Sequence, residues 1–359
     1  MKNLELFEIY TANHEYKNII TDKYNRTPHF IGKNNVLDPC LSEFLVQNGL
    51  EISYPNNKSF AAIISHDIDY LYQPLWSLKT LLNQQSKSIL SRNFKQLFPN
   101  FKNLQRKISP LYSIENILRV NNKYNINSTF YFLALNEEDE DFNYSLSEVR
   151  SFTERLKKRG DKIGLHGGHL AYNSKEKICL EKEYLNKTLG LNVNSFRNHY
   201  MRFDIKSTWD QLIKSGFKID STFGYHNIPG FRNGMCHPFI PYSVNNNSFL
   251  DIIEIPIMIM DTTLFKHLNL NHDNAFKLVK IIIDKVKKLN GVVTILWHNE
   301  SFIGKHLELY TRILDYLIEQ DCWIAKEDDL LNHYEKNSYF KEMKKILQNS
   351  FLLDNSAHI

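Results

Sequence analysis

Asp67 and Asp69 stand one residue apart at the end of an apolar run, Phe60-Ala61-Ala62-Ile63-Ile64, within the stretch Ile64-Ser65-His66-Asp67-Ile68-Asp69. Aspartate is disfavoured in strands and costly to bury without a partner. In an extended chain both carboxylates point to the same side. Two carboxylates so close repel each other unless a cation lies between them. One can then ligate a metal while the other accepts a proton from water. The plain alternative is a polar turn after a strand. Further along, Ile163-Gly164-Leu165-His166-Gly167-Gly168-His169 offers two imidazoles in a glycine-rich loop. Neutral histidine is a common ligand of zinc and similar metals. The two glycines let the loop fold tightly enough for both rings to face one ion; alternatively, one ring only hydrogen-bonds the loop.

Two further clusters complete the set. Ser195-Phe196-Arg197-Asn198-His199-Tyr200-Met201-Arg202 places an arginine where it could orient a carboxylate base through a paired hydrogen bond. Thr294-Ile295-Leu296-Trp297-His298 puts His298 at the end of a hydrophobic strand, where an imidazole bonded to an aspartate can act as general acid toward a leaving amine. Asp220 and Asp261 are the candidates for that aspartate. Arg202 reads as a surface arginine at a turn.

These residues span more than 200 positions, so the elements between them must bring them together. From about residue 59 onward, strands alternate with amphipathic helices. Strands are expected at 59–67, 128–134, 161–168, 194–200, 217–225, 249–261, 291–300 and 321–331. Helices are expected at 113–125, with Ser113 as N-cap, and at 145–160, 174–190, 204–216, 272–291 and 307–320. Alternation of this kind predicts an α/β fold with a parallel sheet, and this many units can close into a (β/α) barrel. In such folds the chemistry lies at the C-terminal ends of the strands, and Asp67, Asp69, His166, His169, Arg197, His199, Asp220 and His298 all fall there. Residues 1–58 lack clear periodicity and read as an N-terminal extension. Residues 71 to about 112 read as a helical insertion, 59–335 as the barrel, and 336–359 as a C-terminal tail with a short helix.

Bulk properties exclude several classes. The chain has 359 residues, with 42% hydrophobic and 23% charged, the profile of a globular protein able to bury a large core. Its 44 basic and 40 acidic residues leave a net charge of +4, which argues against a nucleic-acid partner. The basic stretch at 78–108 reads as a solvated helical face. Four widely spaced cysteines, Cys40, Cys179, Cys236 and Cys322, provide neither a zinc ribbon nor a disulfide framework. No apolar run is long enough to span a membrane, and the start lacks an apolar core of signal-peptide length, so a cytoplasmic location is expected. The oligomeric state is left open.

The order of these clusters resembles the polysaccharide deacetylase family, carbohydrate esterase family four. More particularly, it is similar to a bacterial subgroup with H-D-I-D-Y, R-x-H-Y-x-R-F and G-F-R-x-G-x-C-H-P-F motifs, the last at Gly230–Phe239 here. Ser128–Ala134 resembles the family's A-T-F-F-V strand, and Lys218–Tyr225 the motif that closes the cleft wall. The resemblance covers about residues 59–330. It implies a distorted (β/α) barrel and metal-dependent hydrolysis of an N-acetyl group from a sugar of a surface polysaccharide or its precursor. It makes Asp67 the catalytic base and Asp69 a metal ligand. The family's histidine motif carries two His four residues apart. His166 fits the first, the residue four later is Leu170, and His169, one position early, is taken as the other ligand, with Asn173 a weaker substitute. FRNHY resembles R-x-P-Y with His199 in place of proline. It implies that Arg197 orients the base and the backbone N–H near Tyr200 helps hold the oxyanion. LWH implies His298 as general acid, with Leu296 in the acetate pocket. Zn²⁺ suits a carboxylate plus imidazoles, with Co²⁺ or Ni²⁺ as alternatives. The alternative functions are hydrolysis of a cyclic amide or ureide on the same scaffold, and a non-catalytic carbohydrate-binding descendant.

Overall fold

The computed structural model describes residues 3–17, 20–71 and 111–352. The helical insertion expected at about 71–112 lies outside the described residues apart from its edges. Among the described residues, eleven strands occur: β1 Phe60–Ile68, β2 Thr129–Leu133, β3 Lys162–Gly167, β4 Ser195–Asn198, β5 Ile219–Asp220, β6 Tyr242–Ser243, β7 Ser248–Phe249, β8 Ile253–Glu254, β9 Ile259–Met260, β10 Val292–Leu296 and β11 Cys322–Ala325. Nine form a parallel sheet in the order β8-β5-β4-β3-β2-β1-β10-β9, with β11 also paired to β1. Only β6 and β7 stand apart, as a small antiparallel pair.

Every residue of β1 is buried, as expected for a parallel strand covered on both faces. Along one edge β1 pairs with β10. Along the other, its first half pairs with β11 and its second half with β2. Its polar end therefore emerges between β2 and β10, at the rim where the C-terminal ends of β2, β3, β4 and β10 gather. Helices cover the sheet, including Leu111–Tyr124, Arg150–Arg159, Lys175–Leu189, His272–Lys288 and Gly304–Glu319. The helix Leu111–Tyr124 starts two residues before the expected cap, Ser113. Ser174 does cap the helix Lys175–Leu189, accepting a hydrogen bond from the Lys177 N–H. Gly160 ends Arg150–Arg159 in the left-handed conformation.

The single long strand expected at 249–261 is instead broken. Pro256 has no N–H to offer a ladder. The chain gives β8 to one edge of the sheet, beside β5, and β9 to the opposite edge, beside β10. Between them the backbone bonds irregularly, with Ile255 N–H donating to Asp220 O and Ile257 N–H to Phe223 O. This break is where the barrel is distorted, and it carries the chain into the rim at Asp261.

The N-terminal residues pack on the barrel through the Gly230–Phe239 segment. Arg232 is buried and forms an ion pair with Glu15, its Nε donating to Oε1 at 2.9 Å. The Phe231 N–H donates to Val36 O, and Asn34 Nδ2 donates to Phe231 O. Gly230 has φ +134°, and a Cβ there would fall 2.2 Å from Val36 O, so only glycine fits this approach. Ser42 accepts from the Cys236 N–H and bonds His237 Nδ1 at 2.8 Å. The GFRNGMCHPF segment is thus a seat for the N-terminal residues. The four cysteines are free. No helix among the described residues is long and apolar enough to cross a membrane.

Candidate active site

Alternation along the end of β1 sends its polar residues to different places. His66 turns into the core, donates from Nδ1 to Trp297 O at 3.0 Å and packs against Phe130 and Phe302. Asp67 and Asp69 face the rim instead. There Asp67 Oδ1 accepts from Arg197 Nη1 at 2.8 Å. The arginine is itself fixed, with Nε donating to Ser221 O and Nη2 to Ser221 Oγ, and its guanidinium lies over the Tyr131 ring. Asp67 is 2% exposed, so this pair is shielded from solvent.

His166 closes β3. Its Nδ1 donates to Arg197 O at 2.9 Å, which fixes the tautomer and leaves the Nε2 lone pair aimed inward. Nε2 lies 3.2 Å from Asp69 Oδ1 and 3.6 Å from Asp67 Oδ2. Gly167 permits this packing, because a Cβ there would meet the Phe196 ring at 2.3 Å. His199 approaches from the turn after β4, with Nε2 3.5 Å from Asp69 Oδ2. One ligand atom each of Asp69, His166 and His199 lie within 4.8 Å of one another, and all three residues are buried. Asp69 Oδ1 and His166 Nε2 are buried without any hydrogen-bond partner. Buried polar atoms left orphaned in this way are uncommon. A carboxylate and two imidazoles with lone pairs converging on one point fit a divalent cation.

His169, expected as a ligand, does not join this group. The Gly168 N–H donates to Glu181 Oε2, and Arg202 Nη1 grips the His169 carbonyl at 2.6 Å. The loop is thereby turned outward. The His169 ring faces Asp141 (3.5 Å) and Glu140 (3.7 Å) instead. Asn173 is exposed. Arg202 is a structural clamp, its guanidinium lying 4.4 Å over the Tyr172 ring.

Asp141, from the loop that follows β2, belongs to the site although no motif marks it. Its Oδ1 accepts from the Tyr200 hydroxyl at 2.8 Å, and its Oδ2 lies 3.5 Å from His199 Nδ1. A carboxylate behind a ligating histidine is the usual means of fixing such a ring. The Tyr200 phenol is thus committed to Asp141, and what Tyr200 brings to the rim is backbone. Tyr200 and Met201 have φ of +59° and +54°, in the left-handed region.

His298 follows β10. Its Nδ1 donates to Asp261 Oδ1 at 2.6 Å, and Asp261 Oδ2 accepts from the His298 N–H. Nε2 is left facing the cleft, 3.8 Å from Asp69 Oδ2. Of the two aspartates considered as its partner, Asp261 is the one in contact. Asp220 bonds Thr222 and neighbours the buried Glu254 carboxyl. Burial disfavours charge on His298, but Asp261 and Asp69 outweigh it and raise its pKa to about 10. The same balance raises His199 to about 9, through Asp69 and Asp141. Burial opposes ionisation of Asp69 too, yet His199, His166 and His298 hold its carboxyl well below the usual range.

Asp67, Asp69, His166, His199, Tyr200 and His298 border a cleft of about 370 Å³ whose walls also include Tyr24, Arg26, Met260, Leu296 and Glu300. A larger cavity of about 810 Å³ lies between the helices Asn3–Tyr10 and Tyr339–Leu352. Asp69, His166 and His199, the ligand-competent cluster found among the described residues, are not among its lining residues.

No protein-family model matches the chain, and no curated protein matches its sequence. Solved structures do. A "putative polysaccharide deacetylase" from Mycobacterium smegmatis aligns over 80% of this chain and 94% of its own, with 16% identity and a TM-score of 0.56. A family 4 carbohydrate esterase from Streptomyces lividans aligns over 75% and 93%, with 10% identity and a TM-score of 0.41. A peptidoglycan deacetylase from Bacillus subtilis aligns over 81% and 98%, with 15% identity and a TM-score of 0.40. The likeness to the mycobacterial protein is one of fold: this chain is a parallel sheet wound, with its helices, into the distorted (β/α) barrel of the polysaccharide deacetylases.

Proposed function

We propose that the protein is a metal-dependent hydrolase that removes the N-acetyl group from a sugar of a surface polysaccharide or its precursor. One observation carries this reading. A buried carboxylate pinned by an arginine, three converging ligand groups and an aspartate-bound histidine line one cleft at the C-terminal rim of the barrel. In this reading residues 59–335 are the catalytic unit and residues 1–58 its N-terminal extension.

Asp69, His166 and His199 would hold the cation. When bound, it supplies Lewis acidity, polarising the amide carbonyl and acidifying water. The donor set suits Zn²⁺, with Co²⁺ or Ni²⁺ as alternatives. Asp67 is the base. Arg197 fixes Oδ1, leaving Oδ2 to take the proton of the attacking water. The Tyr200 backbone N–H, on the left-handed turn, donates to the oxyanion. His298, held by Asp261, gives its proton to the departing sugar amine, and acetate is the second product. Leu296 lines the end of the cleft where the acetyl methyl would rest.

His298 must be protonated to donate, so activity falls as pH rises through its pKa. A bound cation repels the imidazolium and brings that pKa below its ion-free value. In the ion-free protein, NMR titration should find the His298 ring protonated up to about pH 10. Asp261→Asn removes the main charge that holds the proton, and should lower this titration by about 1–3 pH units. The alkaline fall in activity should move to lower pH in the same variant.

The test of the function itself is acetate release from N-acetylated oligosaccharides, measured beside ring opening of cyclic amides and ureides. Acetate release with no ring opening is expected. Ring opening alone would assign the scaffold to the other hydrolytic class. Neither activity in ion-loaded protein would favour a carbohydrate-binding role.

A further inference from the structure

The turn that carries His199 has a support from a remote part of the chain. Tyr200 and Met201 are left-handed without being glycine, a state that persists only where the surroundings hold it. The Tyr200 ring stacks on the His199 imidazole at 3.8 Å and 17°. On its other side the Tyr24 ring stacks on Tyr200 at 4.6 Å and 20°. The Arg26 guanidinium lies 4.8 Å over the Tyr24 ring, and its Nη1 donates to Tyr200 O at 2.8 Å. Asp22 closes this small turn. Its Oδ1 accepts from the N–H groups of Tyr24 and Arg26, and its Oδ2 accepts from Arg26 Nε. Both flanks are seated on the barrel, Glu15 on Arg232 and Val36 on Phe231.

We propose that the Asp22–Arg26 turn is a strap that holds the third ligand: Tyr24 and Arg26 are positioning residues that fix the plane of the His199 imidazole, so that Nε2 faces Asp69 and Nδ1 faces Asp141. This rests on the reading of Asp69, His166 and His199 as a cation site. It assigns the N-terminal residues a part in the active site, and explains why the Gly230–Phe239 segment grips them with a buried ion pair. Without the Tyr24 ring, Tyr200 and His199 lose one side of their stack, and the left-handed turn loses what opposes its relaxation.

The test uses the full chain and Zn²⁺, with affinity measured by competition against a chromophoric chelator. Tyr24→Ala and Arg26→Ala act on His199 through Tyr200, so each should weaken Zn²⁺ binding by about 10-fold, the low end of what loss of a direct outer-shell partner causes. Tyr24→Phe keeps the stack and should restore wild-type affinity. In ion-free protein, hydrogen exchange of the Arg202 amide, whose N–H donates to His199 O across this turn, should speed up in Tyr24→Ala and not in Tyr24→Phe. Unchanged affinity together with unchanged exchange would overturn the strap. A wild-type protein that takes up no Zn²⁺ would contradict the cation site; the exchange comparison would then decide by itself whether the strap holds the turn.

Discussion

Asp67→Asn should slow acetate release by about 10²–10⁴-fold, the range supplied by a positioned general base, while the protein still takes up one divalent ion. Asparagine has the same shape, and its amide oxygen can still accept from Arg197 Nη1, so the geometry seen at 2.8 Å is kept. What is lost is the ability to take a proton. The buried Arg197 also loses its counter-charge, so the experiment includes a thermal melt to show that the variant remains folded. Acetate assay and metal analysis on the same sample separate the roles. A fully active variant would remove Asp67 from the chemistry, and a variant that loses the ion would make Asp67 a ligand.

The second large effect separates two histidines. His199→Ala should weaken binding of the ion by well over about 100-fold, beyond what outer-shell changes cause, and activity should go with it. Asp69→Ala should do the same. His169→Ala should leave binding within about 10-fold, because its ring faces Asp141 and Glu140 rather than the converging lone pairs. The comparison is made by equilibrium dialysis of the three variants against Zn²⁺. If His169→Ala loses the ion and His199→Ala keeps it, the loop after β3 must rearrange in solution and the geometry described here is not the working one.

Much of the site's scaffold can be read from local pattern. The apolar run into Asp67 and Asp69 marks a buried strand, and strand–helix alternation marks where such ends gather, so Asp67, Asp69, His166, Arg197 and His298 meet at one rim as expected. The misplaced residue is instructive. His169 lies at nearly the right spacing from His166, but spacing does not tell which way a glycine-rich loop turns; the Gly168–Glu181 and His169–Arg202 contacts that decide it come from elements 13 and 33 residues away. His199 falls at the expected rim two residues after Arg197, but its likeness to the proline of R-x-P-Y does not mark it as a ligand candidate. A histidine two residues after an arginine at a strand end was the signal available. Asp141 had none, being one acid in the run Glu137-Glu138-Asp139-Glu140-Asp141. The expected long strand at 249–261 failed because apolar content indicates burial but not which edge of the sheet receives each half; Pro256 marked the break. The role of the residues before 59 was hidden for a different reason: they are held by tertiary contacts, such as Glu15 with Arg232, and have no periodicity of their own.

The central claim is a single cation held by Asp69, His166 and His199. Anomalous diffraction at the zinc edge, on crystals of Zn²⁺-reconstituted protein, tests it most directly. One peak is predicted within about 2.0–2.2 Å of an oxygen of Asp69 and a ring nitrogen each of His166 and His199. A peak bound by His169 in place of His199, or no peak in this cleft at all, would contradict it.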